Sequence, residues 1–100
     1  MITINVAGFL TDFTKGQSQI VLESPAATVS EALDSLWQQY LGLRDRVVTE
    51  QGDLRPHVNI FMNGENVRRK ELLDTALPAS CEITILPSVS GGSSIVNRES

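Results

Sequence analysis

Near the end of this 100-residue chain stands the pair Gly91-Gly92, preceded by Pro87-Ser88-Val89-Ser90 and followed by Ser93-Ser94-Ile95-Val96-Asn97-Arg98-Glu99-Ser100. A carboxylate on such a pair has a definite chemistry. It is a poor electrophile until a phosphoryl group turns one oxygen into a leaving group, after which a nucleophile can attack the acyl carbon. Glycine suits that task, because two residues without Cβ can thread a narrow channel and adopt backbone angles closed to other residues. With 7 Gly in the chain a chance pair is unremarkable, so position matters more than existence. Gly92 lies beyond the last β-prone run on an arm that reaches roughly 20 Å at about 3.3 Å per residue. The plain alternative is a flexible linker, for which Gly and Ser are the usual residues. As written, moreover, the Gly92 carbonyl is an amide bonded to Ser93, and an amide cannot be adenylated.

Other residues invite chemistry less strongly. Cys81, the lone cysteine, stands at the start of a strand-like run, where a buried structural thiol is the expectation, and it cannot form an internal disulfide. One thiolate also excludes an iron–sulfur cluster, which needs about four. His57 has no second His or Cys at ligand spacing, so a strand-edge hydrogen bond is expected there and no metal site. Arg68-Arg69-Lys70 reads as a solvated basic loop that could face an acidic partner, with Arg44 and Arg46 too scattered to add to it. Phe61 falls on the opposite side of its strand from Val58, Ile60 and Met62. Together with Leu86 and Val89 it would make an apolar docking patch, continued along the arm by Pro87 and Ser90, unless it is an ordinary surface aromatic.

The elements that position these groups follow from periodicity. Ile2, Ile4 and Val6 alternate with polar residues, and Ile20 and Leu22 do so in the run 18–23, so two strands joined by a long polar loop after Gly8 are expected. Thr28-Val29-Ser30-Glu31 has the form of a helix capping box. Val29, Ala32, Leu33, Leu36, Trp37 and Tyr40 then form one apolar stripe, with Gly42 as the expected C-cap. A short second helical turn is expected near 43–47. Val58, Ile60 and Met62 alternate before Asn63-Gly64, a type I′ hairpin signal, with a short return strand through Val67. One helical turn is expected within 70–76 and a last strand over 82–86, closed by Pro87. One amphipathic helix can bury its stripe only against a sheet face. The fold class is therefore α+β, a ubiquitin-like β-grasp with a mixed sheet of four to five strands, one main helix, and parallel first and last strands. The domain spans 1–90, the diglycine 91–92, and 93–100 is an extension.

Composition bounds the partners. Eight Lys and Arg against twelve Asp and Glu leave a net charge of −4, which disfavours nucleic acid. No apolar run approaches the roughly 20 residues of a membrane span. The N-terminus lacks the order of a signal peptide, so a cytoplasmic location is expected.

The run Glu82-Ile83-Thr84-Ile85-Leu86-Pro87-Ser88-Val89-Ser90-Gly91-Gly92 resembles the ending of ubiquitin-like sulfur carriers related to the small subunit of molybdopterin synthase and the thiamine-pathway carrier. The stretch from Arg55 to Arg68, containing Asn59-Ile60-Phe61-Met62-Asn63-Gly64, is similar to carriers that serve cysteine synthesis or sulfur-containing secondary metabolites. The resemblance implies a carrier with no catalytic residue or bound cofactor of its own. It implies an E1-like adenylating enzyme that uses ATP and Mg on Gly92, and a sulfur-acceptor synthase. It also implies a proprotein, cut between Gly92 and Ser93 by a zinc-dependent JAMM-type protease. A ubiquitin-like modifier or binding module that moves no sulfur is the other reading.

Overall fold

The computed structural model describes residues 1–87. Strand β1 (Ile2–Val6) turns Ile2, Ile4 and Val6 inward, and β2 (Gln19–Leu22) buries Ile20 and Leu22. The two pair antiparallel with Ile4 opposite Ile20. On its other side β1 pairs in parallel with β5 (Cys81–Pro87), Ile4 facing Ile83. Strand β3 (Val58–Met62) adds antiparallel to β5, and β4 (Glu65–Asn66) closes the far edge, giving the order β2-β1-β5-β3-β4. This is the mixed β-grasp sheet that the alternating runs predict, with the first and last strands parallel at its centre.

Helix α1 (Val29–Gln39) crosses one face of the sheet. Its first turn is capped by Thr28, whose hydroxyl accepts from Glu31 N at 3.3 Å. The Glu31 carboxylate accepts from Ala27 N at 2.9 Å, one residue ahead of the position a strict capping box would use. Val29, Ala32, Leu33, Leu36 and Trp37 are buried from this helix, against a sheet layer in which Ile4, Ile60, Ile83 and Ile85 are fully shielded.

Three local expectations are corrected. Gly42 is not a C-cap, because α1 stops at Gln39, Tyr40 bends to φ −136° and ψ 79°, and α2 (Leu41–Val47) starts at once. The bend lets Leu43 and Val47, four apart, bury a stripe of their own, and it leaves Tyr40 half-buried against the core and outside the α1 stripe. The expected polar loop after β1 contains a 3-10 helix, Gly8–Phe13, that buries Leu10. Thr14 follows it fully buried and donates its hydroxyl hydrogen to Gln17 O at 2.6 Å. The return strand expected through Val67 ends at Asn66, because a 3-10 turn, Val67–Arg69, takes its place, while the single turn expected within 70–76 is present as the 3-10 turn Leu72–Asp74. The hairpin is as expected: Asn63 and Gly64 have φ of 51° and 88°, as a type I′ turn requires.

Candidate functional site

Strand β5 is held on both edges, which gives the C-terminal arm a rigid root. Pro87 stands opposite Val58, and Ala7 N donates to Ile85 O at 3.2 Å, so pairing continues to the last residue described. Val89, Ser90, Gly91, Gly92 and Ser93, to which docking, threading, thiocarboxylate and cleavage roles are assigned above, lie outside the described residues. Gly92 is five residues beyond Pro87, hence within about 18 Å of it at about 3.6 Å per residue.

The sheet face turned away from α1 carries the remaining candidates. Phe61 stands opposite Thr84 on one side and Asn66 on the other, and Leu86 stands opposite Asn59. Leu86 is exposed on this face, whereas Pro87, opposite the buried Val58, is half-buried on the other. Phe61 lies on this face, as the alternation predicts, but it is half-buried and not fully exposed, because it lines a hollow with Gly64, Glu65, Asn66, Arg69 and Lys70. Toward the other edge a polar row crosses the sheet: Gln19 Nε2 donates to Asn5 Oδ1 at 3.4 Å, and Asn5 Nδ2 to Glu82 Oε2 at 2.8 Å. The face is thus mixed: the polar row crosses β2, β1 and the start of β5, Val21 is exposed on β2, and Phe61 and Leu86 stand on β3 and the end of β5.

The basic run does not behave as one solvated cluster. Arg68 turns back on the fold, its Nη2 donating to Arg55 O and Val58 O at 2.7 Å each and its Nε to Asn59 Oδ1 at 3.3 Å. It pins the entry to β3. Lys70 pairs with Glu65 at 3.3 Å. Cys81 is buried at the start of β5, where burial pushes its thiol up despite the opposing Met1 ammonium. That is the structural thiol expected. His57 is exposed one residue before β3 and makes no side-chain hydrogen bond among the described residues, so the expected strand-edge bond is absent. No cluster of three or more His, Cys, Asp or Glu occurs among the described residues, and none of the helices described is long and apolar enough to cross a membrane.

Periodicity did not reveal what surrounds Pro87. Phe9, Arg46, Arg55 and His57 converge there with Val58 around a hollow of about 250 Å³. The one sequence signal is Phe9, an aromatic stranded between Gly8 and a loop. The arrangement is a platform: an open sheet face, a strand end paired on both sides, and beside it a hollow with cationic and aromatic walls.

Comparison with known proteins places this geometry. The profile of the ThiS family matches residues 4–92. Small archaeal modifier protein 3 of Haloferax volcanii is 39% identical over 66 residues, which are 66% of this chain and 71% of that protein. The sulfur carrier protein CysO of Mycobacterium tuberculosis is 31% identical over 93 residues, covering 91% of this chain and 98% of CysO. A chain in the crystal structure of the Amycolatopsis orientalis BexX/CysO complex is similar with a TM-score of 0.82 at 30% identity, over 92% of this chain and 100% of that one.

Proposed function

We propose, from the premise that this chain belongs to the ThiS family, that it is a sulfur carrier whose working atom is the carboxyl carbon of Gly92. The observation that carries this reading is where the family match ends: it runs through the whole domain and stops at the second glycine, with 93–100 beyond it. In the mature form a Gly92 carboxylate oxygen attacks the α-phosphorus of ATP in an E1-like enzyme, pyrophosphate leaves, and an acyl-adenylate results. A sulfide-level nucleophile then adds to the acyl carbon and AMP departs with the oxygen, leaving a thiocarboxylate. ATP and Mg belong to that enzyme. The carrier supplies reach, positioning and an end without side chains.

The extension Ser93–Ser100 must first go. A JAMM-type zinc protease would direct a metal-bound water at the Gly92 carbonyl, its narrow site admitting the two glycines. Phe61 and Leu86 of the open face, with Val89 of the arm, dock the activating enzyme while Pro87 and Ser90 lead Gly91 and Gly92 into the channel. A sulfur-acceptor enzyme then takes the thiocarboxylate. The CysO relative occurs in a complex with BexX, which supports a partner of that kind.

A second reading is favoured by the archaeal relative named a modifier protein. The same adenylate would then pass its acyl group to a lysine amine and form an isopeptide bond.

ATP–pyrophosphate exchange with the E1-like enzyme of the same organism tests the carrier reading. The form ending at Gly92 should exchange, the form ending at Ser100 should not, and Gly92→Ala in the shorter form should lose most of the rate while staying folded. Equal exchange by both lengths would mean that a different carboxylate reacts. With a sulfur donor present, a mass gain equal to one oxygen replaced by one sulfur marks the carrier, and attachment to lysines of other proteins marks the modifier.

A further inference from the structure

The hollow beside Pro87 combines three features that the docking face does not explain. The first is charge. The chain is acidic overall at −4, yet Arg46 and Arg55 both line the hollow and neither forms an ion pair among the described residues. Asp45, the carboxylate in the lining, is engaged by Arg44 at 3.5 Å. The second is fixation. The Arg46 guanidinium sits 4.8 Å above the centre of the Phe13 ring, which orients the cation without neutralising it. Arg55 Nε donates to Asp45 O at 2.8 Å, which fixes its guanidinium at the hollow. The third is an apolar wall: Phe9 is 54% exposed although it follows directly on a residue packed against Pro87.

Position supplies the occupant. A protein that holds Gly92 must come within about 18 Å of Pro87, which puts this hollow among the surfaces nearest to it. We infer that the hollow is a second docking point for the activating enzyme, filled by a segment of that enzyme in which a carboxylate side chain stands next to an apolar one. The carboxylate meets the forks of Arg46 and Arg55, and the apolar neighbour covers Phe9 and Pro87. This contact is separate from the Phe61 and Leu86 face, and it would set the direction in which the arm leaves β5. The inference rests on the carrier reading of Gly92.

The test measures binding without chemistry. The form ending at Gly92 is titrated calorimetrically against the E1-like enzyme of the same organism, without ATP, at low and at high salt. Arg46→Glu, Arg46→Lys and Phe9→Ser are titrated alongside, and a thermal melt checks the folding of each. The expected result is about tenfold weaker binding for Arg46→Glu with a flatter salt dependence, near-parent binding for Arg46→Lys, and a clear loss for Phe9→Ser, all with parent-like melts. Parent-like affinity and salt dependence in both Arg46→Glu and Phe9→Ser would overturn the inference and leave the carrier reading intact. An equal loss in Arg46→Lys and Arg46→Glu would overturn the charge argument, since a cation alone would not suffice. A parent form that does not bind the enzyme at all would end both readings together.

Discussion

Gly8 and Pro87 are packed so closely that a Cβ on Gly8 would lie 3.2 Å from Pro87 Cγ, and Gly8 holds φ at +65°. The contact follows from topology. Strands β1 and β5 run in parallel as neighbours, so the turn that leaves β1 and the end of β5 emerge at the same end of the sheet. Only a residue that tolerates the left-handed region can make that turn at such close range. Gly8→Ala is therefore expected to cost about 1–2 kcal/mol, read by urea denaturation. A loss within about 0.5 kcal/mol, the range of ordinary surface changes, would mean that the turn relaxes freely.

The core prediction concerns α1. Leu36 is fully shielded between the helix and the sheet, so Leu36→Ala should cost about 2–5 kcal/mol, with the spread set by how far the site collapses. Denaturation midpoints with an unchanged slope would establish that the loss is one of stability. A change within the surface range would remove α1 from the core.

Phe61 tests the docking face. It shares its row of the sheet with Thr84 and Asn66, and it is only half-buried, so Phe61→Asp should leave a folded domain with weaker binding to the activating enzyme. Circular dichroism and calorimetry on one sample separate the two effects. Unchanged affinity would leave Phe61 as a residue of the β4 hollow with no part in docking.

Cys81 gives a pH prediction with a definite sign. Burial raises its thiol above the ordinary range, so the folded state holds that proton more tightly than the unfolded state does. The resulting stability is fully present below the unfolded thiol value of about 8.5 and is lost as pH rises through the higher folded value. Cys81→Ala should lack this alkaline decline. In the parent protein iodoacetamide should modify Cys81 far more slowly without urea than with it, and equal rates would show an accessible thiol.

Much of this protein could be read in the sequence because the relevant signals are local. Alternation over Ile2 to Val6 and Val58 to Met62, the capped stripe from Val29 to Trp37, and Asn63-Gly64 each require only neighbouring residues, and together they leave few folds besides the β-grasp. The same alternation placed Phe61 on the open face, where Leu86 joins it. It could not say how deep Phe61 would sit, because that depends on the hairpin and the two 3-10 turns packed around it. Nor could spacing distinguish the cations. Arg68 lies in a basic run, yet it is committed to two carbonyls at the entry to β3. Arg46 and Arg55 are scattered in sequence and come together because the turn between them folds back, Arg55 N donating to Val47 O at 3.0 Å. Local periodicity thus determined which strands and main helix exist and which face their residues take, except at Tyr40, where the chain bends out of the helix. Which charges stay unpaired beside Pro87 was decided by packing alone, since hydrogen bonds between segments distant in the chain carry no period of their own.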